Sequence, residues 1–189
     1  NGYGFIGNGQ YNQVIGSDSP YSTVINGTYN LAEEGATVIN GHHNTASDGN
    51  SIIGGGSYNV IGASGQDSGI FGGQNNLASA QSAFIGAGGF NTASAGKAVV
   101  VGGTKNVAST ARAFVGAGQS NTGSGLDSFV GSGERNVASG RHSAVLAGSG
   151  STASGAGVIL IGSELTGSET GTVHIGGGGR LDEFITVIT

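Results

Sequence analysis

The chain has 189 residues, of which 41 are glycine and none is cysteine, methionine or tryptophan; only 9% are charged, for a net charge of −5. Without cysteine there is no disulfide framework and no thiolate metal site, and the low charge argues against a disordered polyelectrolyte. Charge is uneven: residues 1–96 carry Asp18, Glu33, Glu34, Asp48 and Asp67 without any Lys or Arg, and all six basic residues fall between Lys97 and Arg180. That distribution makes no basic patch, so nucleic acid is not an expected partner. No apolar run is long enough to predict membrane insertion, and a start at Asn1 rather than Met reads as a fragment or a processed product.

From the N-terminus onward the sequence is one repeat. One position per unit serves as a ruler: Asn12, Asn30, Asn44, Asn59, Asn76, Asn91, Asn106, Asn121 and Asn136, with Ser151 in the tenth place; the spacings are 18, 14, 15 and 17, then 15 five times over. A period of 15 is too short for paired helices and predicts one β-coil per unit. Three residues before every ruler stands Gly, from Gly9 to Gly148. A fixed Gly predicts positive φ or close backbone approach at a corner. Six before stands a β-branched residue each time, Ile6, Val24, Val38, Ile53, Ile70, Ile85, Val100, Val115, Val130 and Val145, which predicts a strand position facing a packed interior. Two residues after the ruler Ala dominates, predicting a second short strand with a small inward side chain. The ruler Asn itself is expected at a turn, in the left-handed region that Asn tolerates, with its amide stacked into a ladder between coils.

The other face of the first strand comprises the positions seven and five before the ruler. Most coils set one bulky apolar residue there beside one small one, as in Phe5/Gly7, Gly69/Phe71, Phe84/Gly86, Phe114/Gly116 and Phe129/Gly131. This alternation predicts volume compensation on a packed face. A strand apolar on both faces is buried on both faces: one fills the coil, the other needs a partner. A symmetric homo-oligomer covers that face in every coil at once, so the expected contact residues are Phe5, Ile25, Ile39, Ile52, Phe71, Phe84, Val99, Val101, Phe114, Phe129 and Leu146.

Two coils are longer than the rest, with extra residues within Gly16–Ser22 and Gly62–Ser68. Insertions in repeat proteins tend to map to one face. After about Gly162 the pattern decays, and the segment Val173–Thr189 reads as a glycine hinge followed by a final alternating strand. The expected organisation is a repeat head over 1–162 and a C-terminal capping or tail segment over 163–189.

The run from Ser82, SAFIGAGGFNTASAGKAVVVGGTKNVAS, followed by ARAFVGAGQSNTGSG, DSFVGSGERNVASG and HSAVLAGSGSTASG, resembles the YadA-like head repeat of trimeric autotransporter adhesins and is similar to head-type repeats of bacteriophage tail fibres. The resemblance spans about 160 residues. It implies an all-β, left-handed parallel β-roll or β-solenoid, homotrimeric through its inner strands, on a virion or a bacterial surface. A G-x-x-N in place of an Ala-rich stretch, and a slightly longer unit, put the phage tail fibre first and the bacterial adhesin head second. Many phage fibres that resemble this chain carry a C-terminal intramolecular chaperone that cuts itself off before a Ser, and an end at Thr189 would suit such a cut. The partners implied are two further copies, a host-surface glycan or outer-membrane receptor, and other fibre segments.

Candidate ligand-binding residues are those that vary within the strict repeat, since variable columns face solvent. One and two places before the ruler stand Tyr11, Tyr29, His43 and Tyr58, with His42 beside them; Tyr21, Asp18, Gln66 and Asp67 come from the two insertions. Aromatic and amide side chains on a rigid rod suit sugar stacking and hydroxyl recognition, while an ordinary solvated corner explains the same columns. No metal is expected. His42 and His43 are neighbours that a strand would point to opposite faces, His174 is either a surface residue or a ring about a trimer axis, and Gly54–Asn59 lacks the aspartate of a calcium roll. No cofactor fingerprint is present. Glu33 and Glu34 are adjacent, a poor geometry for an acid–base pair, so catalysis is not expected. A polysaccharide depolymerase is the alternative of another class, and a passive spacer is a fourth reading.

Overall fold

The computed structural model describes residues 3–16 and 21–177, which form an all-β solenoid without a helix. Each coil contributes two short strands. The first joins a twelve-stranded parallel sheet, here sheet 1, and the second an eleven-stranded parallel sheet, sheet 2. Every strand pairs with its counterpart one coil away, as Phe84 with Val99 and Ile85 with Val100 in sheet 1, and Leu77 with Thr92 and Ala78 with Ala93 in sheet 2. The repeat fixes this register, because a slip of one residue would turn each inward Val or Ile outward.

The interior is narrow. Val24, Val38, Ile53, Ile70, Ile85, Val100, Val115, Val130, Val145 and Leu160 line the inner face of sheet 1 and are fully buried. Sheet 2 meets them with Ala32, Ala46, Ala78, Ala93, Ala108, Ala138 and Ala153, equally buried. Large against small keeps the two sheets close without voids. Ile61 is one of two bulky residues in this column of sheet 2, and it belongs to the coil with the Gly62–Ser68 insertion. Gly65 lies directly over it: a Cβ there would sit 2.4 Å from Ile61 Cγ2. The longer corner thus makes room for a side chain larger than Ala. The other insertion follows Val14, the other bulky residue in this column, although Ser17–Pro20, and with them Asp18, lie outside the described residues.

The ruler asparagines from Asn30 to Asn136 are buried, Asn12 half-buried, and they form the expected ladder, but they do not occupy the left-handed region. That conformation belongs to the residue before each: Tyr11, Tyr29, His43, Tyr58, Asn75, Phe90, Lys105, Ser120 and Arg135 all have φ between 53° and 58°. The turn therefore falls one place earlier than the Asn propensity suggests, and it leaves the amide free to point inward. Asn121 shows the pattern. Its backbone N–H donates to Asn106 Oδ1 (2.9 Å), and its Nδ2 donates to the Ala117 carbonyl (3.0 Å) and to the Gly133 carbonyl one coil on (2.8 Å). Ser151 fills the tenth place the same way, its Oγ donating to the Gly162 carbonyl and accepting from the Leu165 N–H. The glycine three places earlier is forced by the same corner. Gly118 has φ +98°, and a Cβ on it would sit 2.0 Å from the Gly133 carbonyl oxygen.

Both ladders run past Gly162. Thr166–Gly167 pairs with Thr152–Ala153, and Val173–Gly177 pairs with Ile159–Ser163. His174 stands in register with Leu160, in the inward column of sheet 1. It is half-buried there, its ring 3.5 Å from where a Cβ on Gly167 would be. Residues 178–189, including the proposed cut site at Thr189, lie outside the described residues.

Candidate functional site

The outer face of sheet 1 carries all eleven residues expected to meet a partner. Phe84, Phe114, Ile52 and Val99 are half-buried, whereas Phe5, Ile25, Ile39, Phe71, Val101, Phe129 and Leu146 are exposed, Phe71 at 61% and Phe129 at 40%. Large and small residues interlock as the pairs suggest. The Phe129 ring lies 3.2 Å from where a Cβ on Gly131 would be, the Phe114 ring 3.5 Å from that of Gly116, and the Phe71 ring 3.5 Å from that of Gly69. Each ring lies down over the glycine two places along its own strand. Phe114 and Phe129 stack at 5.1 Å with an interplanar angle of 3°, and Phe71 meets Phe84 at 5.6 Å. The result is a continuous apolar stripe along the rod, the kind of surface that marks an interaction site.

Sheet 2 carries a second outer column that the sequence reading passed over: Leu31, Thr45, Val60, Leu77, Thr92, Val107, Thr122, Val137 and Thr152, all half-buried except the exposed Leu77. The signal was present. From Asn30 onward the residue directly after each ruler is Leu, Val or Thr.

The variable residues separate onto two edges of the coil. On the first edge Tyr11, Tyr29, His43 and Tyr58 stack as successive rungs. Centroid distances are 4.7, 4.7 and 5.0 Å and interplanar angles 13°, 7° and 10°. Identical φ at each rung launches the side chains in the same direction, and parallel pairing spaces them by one coil. His42 meets the edge of this stack at near-right angles, 5.8 Å from Tyr29, 4.2 Å from His43 and 5.8 Å from Tyr58. Its Nδ1 hydrogen-bonds Thr28 Oγ1 at 2.7 Å. The two histidines are thus on one corner with their rings in contact, not on opposite faces, because His43 sits in the turn and not in a strand. Stacking also decides what the stripe offers. The faces of Tyr29 and His43 are covered on both sides, so along the middle of the stack only ring edges are open, while sugar stacking needs a bare face and finds one only at the end rungs Tyr11 and Tyr58.

Tyr21, Gln66 and Asp67 lie on the other edge, at the corner between sheet 2 and the next strand of sheet 1. Asp67 has φ +60° and accepts from Asn50 Nδ2 at 3.2 Å. Farther along this edge Arg112 clamps Asp127 with two hydrogen bonds, Nη2 to Oδ2 at 2.9 Å, and His142 Nε2 lies 3.4 Å from the same carboxylate. The hydrogen bond from Arg112 holds the Asp127 carboxyl below its ordinary range, against a smaller opposing effect of desolvation.

No protein-family model matches the chain, and no curated protein matches it. Among the described residues no three His, Cys, Asp or Glu side chains come together to hold a metal ion, and no helix is long and apolar enough to cross a membrane.

Proposed function

We propose that the chain is a segment of a homotrimeric fibre that attaches to a host cell surface, in a phage tail fibre rather than a bacterial adhesin head, and that it works by binding and not by catalysis. The proposal includes a left-handed coil of the YadA-like head type. The observation that carries it is the unbroken apolar stripe on sheet 1, whose phenylalanines are interlocked with glycines yet face outward. A stripe that recurs in every coil is covered in every coil by a parallel copy, and closed rotational symmetry lets three copies share it about one axis. Cyclic assemblies also pair unlike patches, and the Leu/Val/Thr column of sheet 2 supplies a second, different one. The rod that results presents its corner residues, the aromatic stack among them, to the outside.

Sedimentation of the purified chain tests the assembly: three chain masses for the wild type, and loss of that species for Phe114→Ser with Phe129→Ser. A monomeric, fully folded wild type would remove the basis of the proposal. Retention on host cells without shortening of their capsular polysaccharide tests the attachment; shortening would instead place the chain among depolymerases.

A further inference from the structure

The two ends of the solenoid are unlike. Toward the C-terminus the pattern lapses: the last described ruler place holds Leu165, the inward column ends in His174, and no asparagine follows Asn136. The first coil keeps the full pattern, with Ile6, Gly9 and Asn12 in their columns. Terminal units of a solenoid ordinarily depart from the repeat and cover its end. Here the inward Ile6 is 47% exposed, whereas its equivalents from Val24 to Leu160 are fully buried.

The polar groups of that end are equally specific. At each junction one asparagine amide bridges two coils: Nδ2 donates to the Gly carbonyl of the next coil, and Oδ1 accepts the next ruler's N–H. For Asn12 these bonds reach Gly27 (2.8 Å) and Asn30 (3.0 Å); for Asn136 they reach Gly148 (2.7 Å) and Ser151 (3.0 Å). The same pair on the first coil, the Gly9 carbonyl and the Asn12 N–H, meets no such amide among the described residues. The Tyr29 N–H donates to the Gln10 carbonyl one coil before (3.0 Å), and the Val24 and Ile25 carbonyls accept from Gly7 and Asn8 at 2.9 Å. Their counterparts on the first coil, the Tyr11 N–H and the Ile6 and Gly7 carbonyls, have no equivalent partner among the described residues.

We propose that the N-terminal end is a docking site for one more coil of this pattern, carried by the adjoining segment of the fibre and bearing Asn in its ruler place. That the partner is a fibre segment rests on the function proposed above; the fit to an asparagine does not. The Asn side chain holds an acceptor and a donor on one planar group, and so meets the Asn12 N–H and the Gly9 carbonyl together. The strand before it supplies N–H donors to Ile6 and Gly7, as in strand addition to an open sheet edge. The C-terminal end of a second copy does not fit, because it has no asparagine to offer. A coil with an apolar ruler does not fit either, because it would bury both groups unpaired.

The test places a copy of residues 83–97, a regular coil with Asn91 as its ruler, directly before Gly4 in place of residues 1–3 of the full chain. Hydrogen exchange at the Tyr11 and Asn12 N–H groups should slow about tenfold or more, and the melting temperature should rise. Asn91→Leu made in the copy alone should return Asn12 to its original exchange rate and leave Asn121 unchanged. Asn91→Ser in the copy should keep part of the protection, since Ser151 already accepts and donates in a ruler place. Sedimentation is read alongside. Three chain masses with no gain in protection would overturn the docking site and leave the trimer standing. Protection in a monomer would support the docking site and remove the fibre as its partner. Equal protection by the Asn and Leu coils would overturn the role of the amide, and end-to-end growth of the unmodified chain beyond three chain masses would overturn the choice of partner.

Discussion

Replacing Asn106 by Ala should cost about 3–5 kcal/mol, a large effect for one residue of a repetitive rod. Asn106 Nδ2 donates to the Gly102 carbonyl at 2.8 Å and to the Gly118 carbonyl at 2.9 Å, while Oδ1 accepts the Asn121 N–H at 2.9 Å. Truncation leaves the buried Asn121 N–H without a partner, which costs about 1–3 kcal/mol, and each further lost hydrogen bond adds about 1 kcal/mol. Asn106→Ser should recover part of the loss, because Ser151 already serves in this place with its hydroxyl both donating and accepting. Asn106→Asp turns an oxygen toward two carbonyls in a buried site, which raises the carboxyl pKa. A raised folded-state pKa means that the aspartate variant is least handicapped below about pH 4 and falls behind as the pH rises toward neutrality. Denaturant unfolding across that range measures all three variants, and amide exchange at Asn121 reports the broken rung directly. Equal losses for Ala and Ser, or a loss for Ala below about 1 kcal/mol, would show that the amide ladder does not hold the coils together.

Three more outcomes follow from individual contacts. Ser128 Oγ is buried without a hydrogen-bond partner, and Ala stands at the same column in Ala83, Ala98 and Ala113, so Ser128→Ala should raise stability by about 1 kcal/mol in thermal or denaturant unfolding. Gly118→Ala combines positive φ with a backbone clash and should unfold its coil, seen as loss of amide protection in coils 103–133. Arg112→Gln should return the Asp127 carboxyl toward its ordinary range in an NMR titration. In the native chain the ion pair's contribution is present above the normal carboxylate pKa and is lost as acid titrates through the lowered one. Salt should weaken it, since Arg112 is exposed and Asp127 only half-buried.

The coil architecture was legible because three columns are nearly invariant: the Gly before each ruler, the β-branched residue before that, and the Ala after it. Each encodes a different constraint, a corner, an interior and a thin second sheet, and together they fix the two-sheet solenoid. The position of the turn was not legible. Asn favours the left-handed region in general, but here a burial site with four hydrogen-bonding roles retains it, and residues as unlike as Tyr, Lys and Arg take the strained place. The two insertions were read as one kind of surface feature. In the structure the described one accommodates Ile61, a packing need that shows in the sequence only when Val14 and Ile61 are compared with the alanines of the same column. The variable residues Tyr29 and Tyr21 looked like members of one stripe, yet they stand on opposite edges, because a coil with two corners assigns residues eight apart to different sides.

The bonds that join one coil to the next run along the length of the rod, since adjacent strands of a sheet hydrogen-bond across their own direction. A pull applied at the two ends therefore loads the coil-to-coil junctions in series, each resisting with all its bonds together. Under rising tension such a rod yields turn by turn. Each 15-residue turn would release about 50 Å of extended chain. The extension record would be a staircase of even steps, with the two longer turns, those ending at Asn30 and Asn76, giving the two widest.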